Sequence, residues 1–295
     1  MFQVVARAYE DGVAFRYGIQ AQDGETLTIQ SEHTGVQLPA GTINWSADYQ
    51  GPHETLPSEK TMAATTGTYT MPMLYKTTAG TYGLISEAAL SPAYCGAALR
   101  GDGSGMVNVI FAPEQATSVV TTVPFVSPWR FVVMGTSADI NATVMPENLS
   151  PPCEIEDTSW IEPGVTAWTW LNGEGTSSLA TYKRYVDLAA DMGWQYLLLD
   201  EGWQPGAPSG SGRRYQGYYS WMDELVAYAD EKGVGLLVWA YHSDLADPEY
   251  CEQLFAEWHE MGIKGLKPDF FDSQAQSVMQ TYDRLMRLSA KYELV

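Results

Sequence analysis

Trp194-Gln-Tyr-Leu-Leu-Leu-Asp-Glu-Gly-Trp203 opens as an apolar run and closes on two acids. From Trp194 to Leu199 it lacks the in–out alternation of a half-exposed sheet. It therefore reads as a strand covered on both faces, which is the habit of parallel sheets. Its neighbours repeat the theme. Ser178–Met192 has helical spacing, with Leu179, Tyr182, Tyr185, Val186 and Ala189 on one face. Trp221–Lys232 is a helix that Gly233 stops, and Gly235–Tyr241 is another buried strand. Gly164–Leu171 is a strand before the first helix. Asp247–Met261 is a helix that Gly262 stops, and Gly265–Asp269 is a fourth strand. Gln276–Tyr292 is a fourth helix, after which Leu294-Val295 opens a fifth strand. Glycines that end helices just before strands fit αβ loops.

Four β-α units admit a doubly wound sheet or a (β/α)8 barrel. The first strand is followed by Trp170-Leu-Asn-Gly-Glu-Gly175, which lacks the spacing of a phosphate-binding loop. Polar and aromatic residues instead gather at the C-terminal end of every strand, where barrel enzymes keep their chemistry. Residues 164–295 are therefore expected to be the first half of a (β/α)8 TIM barrel. Four units cannot close a barrel, so the chain is expected to be a fragment cut at the fifth strand.

Residues 1–150 follow another grammar. Val4–Ala8, Val13–Ile19, Thr26–Ile29, Thr68–Tyr75, Tyr82–Ile85, Met106–Phe111, Ser118–Val123 and Trp129–Met134 are rich in β-branched and aromatic residues. Gly, Asp, Asn and Pro punctuate them, and no long helical period appears. This predicts an N-terminal antiparallel β-sandwich, its start truncated. Pro151-Pro152 and the acidic run after it mark residues 151–163 as a linker.

The bulk chemistry narrows the partners. Thirty-six acids against sixteen bases give a net charge of −20, which argues against nucleic acid and anionic membrane surfaces as partners. Ten Trp and eighteen Tyr suit a core and also the flat faces of a sugar site. Cys95, Cys153 and Cys251 have no metal-ligand spacing and read as buried free thiols, with one disulfide as the alternative in an oxidising compartment. The first residues read as a strand, not a signal peptide, and no apolar run reaches membrane-spanning length.

The strand ends carry the chemistry. They read Trp168-Thr-Trp170, Asp200-Glu-Gly-Trp203, Trp239-Ala-Tyr-His242 and Lys267-Pro-Asp269. In a barrel these converge on one pocket of carboxylates, a lysine and tryptophans. Such a set suits glycoside hydrolysis, in which one carboxylate acts at the anomeric carbon and another protonates the leaving oxygen. Each residue also has a plainer use. Asp200 and Glu201 could cap a helix, and Trp203 and Trp239 could be rim core. Lys267 could pair with Asp269 and so keep it ionised, which a nucleophile needs.

Seven segments carry a resemblance in family order. In the first half they are Arg7-Ala-Tyr-Glu-Asp-Gly-Val-Ala-Phe-Arg-Tyr17, Ser86-Glu-Ala-Ala-Leu90, Ser127-Pro-Trp-Arg130 and Asn148-Leu-Ser-Pro-Pro152. In the second half they are Pro163-Gly-Val-Thr-Ala-Trp168, Leu199-Asp-Glu-Gly-Trp203 and Gly265-Leu-Lys-Pro-Asp-Phe270. Together they resemble glycoside hydrolase family 97. The resemblance implies an exo-acting α-glycosidase with a β-sandwich before a catalytic barrel. Retaining members, similar to α-galactosidases, place an aspartate nucleophile at the end of the fourth strand, the position of Asp269. Inverting members are α-glucosidases.

The implied site is therefore Asp269 as nucleophile, with Asp200, Glu201 and Lys267 binding sugar hydroxyls and Trp203 and Trp239 lining the pocket. The family also implies calcium, with Glu87 as a ligand, and an acid/base glutamate outside this chain. The substrate is expected to be an oligosaccharide or α-glycoside, and the compartment periplasmic or extracellular. The 295 residues alone are expected to lack useful turnover. The alternatives are an inverting α-glucosidase and a non-catalytic carbohydrate-binding protein.

Overall fold

The computed structural model describes residues 1–174, 178–205 and 217–295. The chain divides into two compact units, Met1–Cys153 with Phe271–Asp283, and Glu154–Phe270 with Arg284–Val295. The boundary at residue 153 falls inside the expected linker.

The first unit is antiparallel β structure. One eight-stranded sheet runs in the order Phe2–Tyr9, Gly12–Ile19, Trp129–Gly135, Tyr82–Ala88, Met73–Lys76, Ile43–Ser46 and Ser58–Thr61, with Phe125–Val126 also paired to Gly12–Ile19. A second sheet runs Thr34–Gln37, Met106–Phe111, Ala97–Asp102 and Thr66–Tyr69. Met73, Tyr75 and Ile85 of the first sheet and Tyr69, Leu99, Val107 and Val109 of the second share one core, which makes the pair a sandwich. The run Thr68–Tyr75 is not one strand. It splits around Met71-Pro72 into Thr66–Tyr69 and Met73–Lys76, which belong to different sheets. Proline has no N–H for a ladder, so the run breaks there. Two short helices, Ser137–Ala142 and Met145–Leu149, also appear. Thr136 and Asp139 close a reciprocal cap on the first, a spacing readable in the sequence.

The second unit holds a four-stranded parallel sheet. Its strands are β1 (Thr166–Trp168), β2 (Tyr196–Leu199), β3 (Gly235–Tyr241) and β4 (Gly265–Asp269), in that spatial order. The helices are α1 (Leu179–Met192), α2 (Met222–Glu231), α3 (Pro248–Met261) and α4 (Gln276–Tyr292), the last contributing to both units. A doubly wound sheet reverses direction at a switch point, whereas here order in space follows order in sequence, as in a barrel. All four residues of β2 are buried. Gly193 and Gly262 end α1 and α3 in the left-handed region, at φ 68° and 93°, which glycine adopts without a Cβ penalty. The strand expected over residues 164–171 is only three residues long and passes into a 3-10 turn at Trp170–Asn172. Beside β4, Val295 donates its N–H to the Lys264 carbonyl and accepts from the Leu266 N–H.

Candidate active site

The parallel register sets the site. Lys267 lies opposite Trp239, and Asp269 opposite Tyr241, so the ends of β3 and β4 are level. Side chains of residues two apart on a strand share a face, which puts Lys267 and Asp269 on one side of β4. Their ion pair spans 3.1 Å from Nζ to Oδ2. The same ammonium reaches Oδ2 of Asp200, at the end of β2, across 3.3 Å. One lysine thus joins the carboxylates of two strand ends.

Each group is held by neighbours. Asp200 is buried, accepts the Trp168 indole N–H at 2.5 Å on Oδ2, and accepts the Glu201 backbone N–H at 2.7 Å on Oδ1. Lys267 also lies over the Trp168 ring, 4.6 Å from its centroid. Asp269 accepts the Trp239 indole N–H at 2.9 Å on Oδ2 and the Phe270 backbone N–H at 2.8 Å on Oδ1. Burial pushes the Asp269 carboxyl up, but the bonds from Trp239, Phe270 and Lys267 outweigh it and hold it below the usual aspartate value. The Asp269 side chain keeps a third of its surface in solvent. An ionised, accessible carboxylate at a strand end is equipped to attack carbon.

The sequence-predicted residues separate on this geometry. Asp200, Lys267, Asp269 and Trp239 come together, and Glu201 engages the group through its backbone. Trp203 is only 1% exposed, packs beside Trp258 and Tyr218, and donates its indole N–H to the Trp239 carbonyl at 2.8 Å. Its position is core. Trp168 was not among the expected binding residues. Its place at the end of a strand, beside other strand-end polar groups, was the available signal.

Glu87 lies in the sandwich, opposite Arg130 in register. Arg130 contacts Glu87 Oε2 and forks onto Glu32 at 2.8 and 2.7 Å. Thr34 and Tyr94 hydroxyls also donate to Glu32, at 2.9 and 3.0 Å. The Ala97 N–H donates to Glu87 Oε1 at 3.1 Å. Burial pushes the Glu87 carboxyl up, against the pull of Arg130. Calcium takes six to eight oxygens, and a guanidinium beside the first ligand repels it. Among the described residues, no group of three or more His, Cys, Asp or Glu could hold a metal ion. These residues do not by themselves fit calcium. Burial and Glu87 push the Cys95 thiol up to about 12, so it is no nucleophile near neutral pH. No helix among the described residues is long and apolar enough to cross a membrane.

A β-sandwich and a run of parallel β-α units with carboxylates at the strand ends match the organisation of a glycoside hydrolase. Residues 2–152 match the family description "Glycosyl-hydrolase 97 N-terminal", and residues 160–295 match "Glycoside hydrolase 97". The chain belongs to glycoside hydrolase family 97. It is 36% identical over 302 residues to a "Probable retaining alpha-galactosidase" of Streptomyces bingchenggensis, covering 100% of this chain and 46% of that protein. It is 36% identical over 178 residues to the "Retaining alpha-galactosidase" of Bacteroides thetaiotaomicron, covering 57% of this chain and 26% of that one. The chain thus spans less than half the length of these curated relatives. A family 97 enzyme of Pseudoalteromonas sp. strain K8, solved in complex with acarbose, shares the fold with a TM-score of 0.90 at 21% identity, over 99% of this chain and 51% of that chain.

Proposed function

We propose that these residues belong to an exo-acting retaining α-glycosidase of the α-galactosidase type, with Asp269 as its nucleophile. The observation that carries this reading is the Asp269 carboxylate, ionised and accessible at the end of β4 and held by Lys267, Trp239 and the Phe270 N–H. An oxygen of Asp269 attacks the anomeric carbon, and the glycosidic bond breaks with its electron pair leaving on the aglycone oxygen. A second carboxylic acid protonates that oxygen, and water then hydrolyses the glycosyl ester. Asp200 shares its lysine with Asp269 and is buried, so it serves better as a binder of sugar hydroxyls than as that acid. The acid/base is a glutamate of the whole enzyme outside these 295 residues, which alone have no useful turnover of unactivated substrates. The substrate is an oligosaccharide or α-galactoside, met in the periplasm or outside the cell. Calcium has no step in this reading.

The test is covalent trapping with a fluorinated galactosyl donor bearing an activated leaving group, which needs no acid. One galactosyl adduct on the peptide containing Asp269, absent from Asp269→Ala, is the expected result. Proton NMR of the first-formed sugar from the whole enzyme checks the stereochemistry. A first product of inverted anomeric configuration, with no adduct, would replace this reading by the inverting α-glucosidase one. Sugar binding with neither adduct nor product would leave a carbohydrate-binding protein.

A further inference from the structure

Five side chains join all four strand ends through one cation. Trp168 of β1 donates its indole N–H to Asp200 Oδ2 at 2.5 Å, and Trp239 of β3 donates to Asp269 Oδ2 at 2.9 Å. Lys267 lies between those same two oxygens, 3.3 Å from the first and 3.1 Å from the second. Each oxygen therefore has one indole N–H and a share of the ammonium. The two carboxylates differ in their access to water. The Asp200 side chain is 5% exposed and that of Asp269 33%. A buried carboxylate that loses a donor stays unsatisfied, whereas an exposed one is solvated again. Asp200 thus has the stronger need of the lysine, and the Trp168 N–H meets part of it. The Trp168 ring also seats the ammonium, with Nζ 4.6 Å from its centroid.

We infer that Trp168 is a positioning residue for Lys267: by satisfying Asp200, its indole N–H leaves the ammonium shared with Asp269. Without that N–H, the ammonium is the one donor left to Asp200 Oδ2 among the described residues. The lysine then moves toward the buried oxygen, and Asp269 keeps only the Trp239 and Phe270 N–H groups. Trp168 acts on Asp269 through the lysine. For its bearing on reactivity the inference rests on the proposal that Asp269 is the nucleophile. For its bearing on the carboxylate it rests on the geometry alone.

Trp168→Phe keeps an aromatic face beside the lysine and removes the N–H. It is made in the whole enzyme, with and without Asp200→Asn. The readouts are the titration of the Asp269 carboxyl carbon, followed by NMR on isotope-labelled aspartate, and the pH profile of labelling by the activated donor. The titratable groups at the surrounding strand ends are Lys267 on β4, Asp200 and Glu201 after β2, and Tyr241 and His242 at the end of β3. Tyr182 of α1, pushed up by burial and by Asp200, stays neutral. In this comparison only Asp200 among them is altered. Trp168→Phe is expected to raise the Asp269 midpoint by about one unit, since an adjacent opposite charge lowers an aspartate by roughly one to three. The lower limb of labelling should move up with it. In the Asp200→Asn background no second carboxylate claims the lysine, and the same substitution is expected to leave the midpoint in place.

A midpoint that Trp168→Phe moves equally in both backgrounds overturns the inference, and so does one it moves in neither. An unmoved midpoint with weaker donor binding makes Trp168 a sugar-binding face instead. A second measurement leaves Trp168 intact. As Asp269 is protonated in the parent enzyme, the ammonium is released toward Asp200. The Trp168 indole N–H signal should then shift with the Asp269 midpoint, and Lys267→Met should abolish that shift. An indole signal indifferent to the Asp269 titration overturns the inference even where Trp168→Phe does not fold. Neither titration needs turnover. The expected titrations in an enzyme that never labels would therefore sustain the positioning role while removing the nucleophile.

Discussion

Two clusters in this chain have the same plan and opposite surroundings. In the sandwich, Arg130 lies between Glu32 and Glu87, and the three side chains are 4%, 2% and 7% exposed. At the ends of the parallel strands, Lys267 lies between Asp200 and Asp269, which are 5% and 33% exposed, with the lysine at 36%. Arginine fits the closed cluster because its planar fork satisfies a buried carboxylate bidentately and never loses its proton. Lysine fits the open one because a compact ammonium holds two carboxylates at once and leaves part of Asp269 in solvent. The first arrangement closes its charges off from water, and the second leaves one carboxylate in solvent. Burial, more than residue type, separates the two ion clusters.

The largest expected effect breaks the closed cluster. Arg130→Met leaves two buried carboxylates without their cation. Breaking such a pair costs about 3–5 kcal/mol, and the transition of the sandwich in thermal unfolding should fall on the order of 10 °C. Replacing all three together, as Glu32→Gln, Arg130→Met and Glu87→Gln, should recover part of that loss, because no charge is then left unpaired. A single variant as stable as the parent would show that the cluster is not what holds those strands in place.

The open cluster should respond in the other currency. Lys267→Met is expected to cost less stability than Arg130→Met, because the pair to Asp269 is exposed to water and only one buried carboxylate, Asp200, loses its cation. Its effect falls on reactivity. Lys267 helps to hold the Asp269 carboxylate in place, so its loss should slow labelling by the activated donor on the order of tenfold. The pH dependence has a fixed sign. The Asp269 carboxyl sits below its ordinary value, so its stabilisation is complete above the unfolded-state value and is lost as pH falls through the depressed folded one. Labelling follows the same lower limb. Removing Lys267 should move that limb to higher pH. An unmoved limb would assign the depression to Trp239 and the Phe270 N–H alone.

Much of the open cluster was legible in the sequence because its parts are local. An apolar run closing on Asp200-Glu201, and Lys267 two residues before Asp269, state the side of the sheet and the end of the strand in a few letters. The stop glycine 262 fixed its helix end by the same local logic. The closed cluster was not legible, since Arg130 meets Glu32 across 98 residues and Glu87 across 43. No period or motif links those positions; only the strand register does. The run Thr68–Tyr75 misled because β propensity is indifferent to which sheet a strand joins. Trp203 misled because proximity to an acidic pair says nothing about depth. Its indole is turned inward onto the Trp239 carbonyl, and the tertiary fold alone decides that.

The smallest effect closes the series at the exposed end. Lys183 of α1 and Glu224 of α2 pair at 2.7 Å, with side chains 29% and 60% exposed. Lys183 also lies over the Tyr228 ring, 4.6 Å from its centroid, so Lys183→Ala removes packing as well as charge. A double-mutant cycle with Glu224→Gln isolates the pair from that packing. If burial governs what a cation between carboxylates is worth, the coupling should be about 0.2–1 kcal/mol and should shrink as salt is raised. It would then fall well below the Arg130 effect despite its short contact. A coupling above about 2 kcal/mol that salt does not move would break the ordering, because contact geometry would then outrank burial. The contrast between the Arg130 and Lys267 clusters would have to rest on arginine's fork alone.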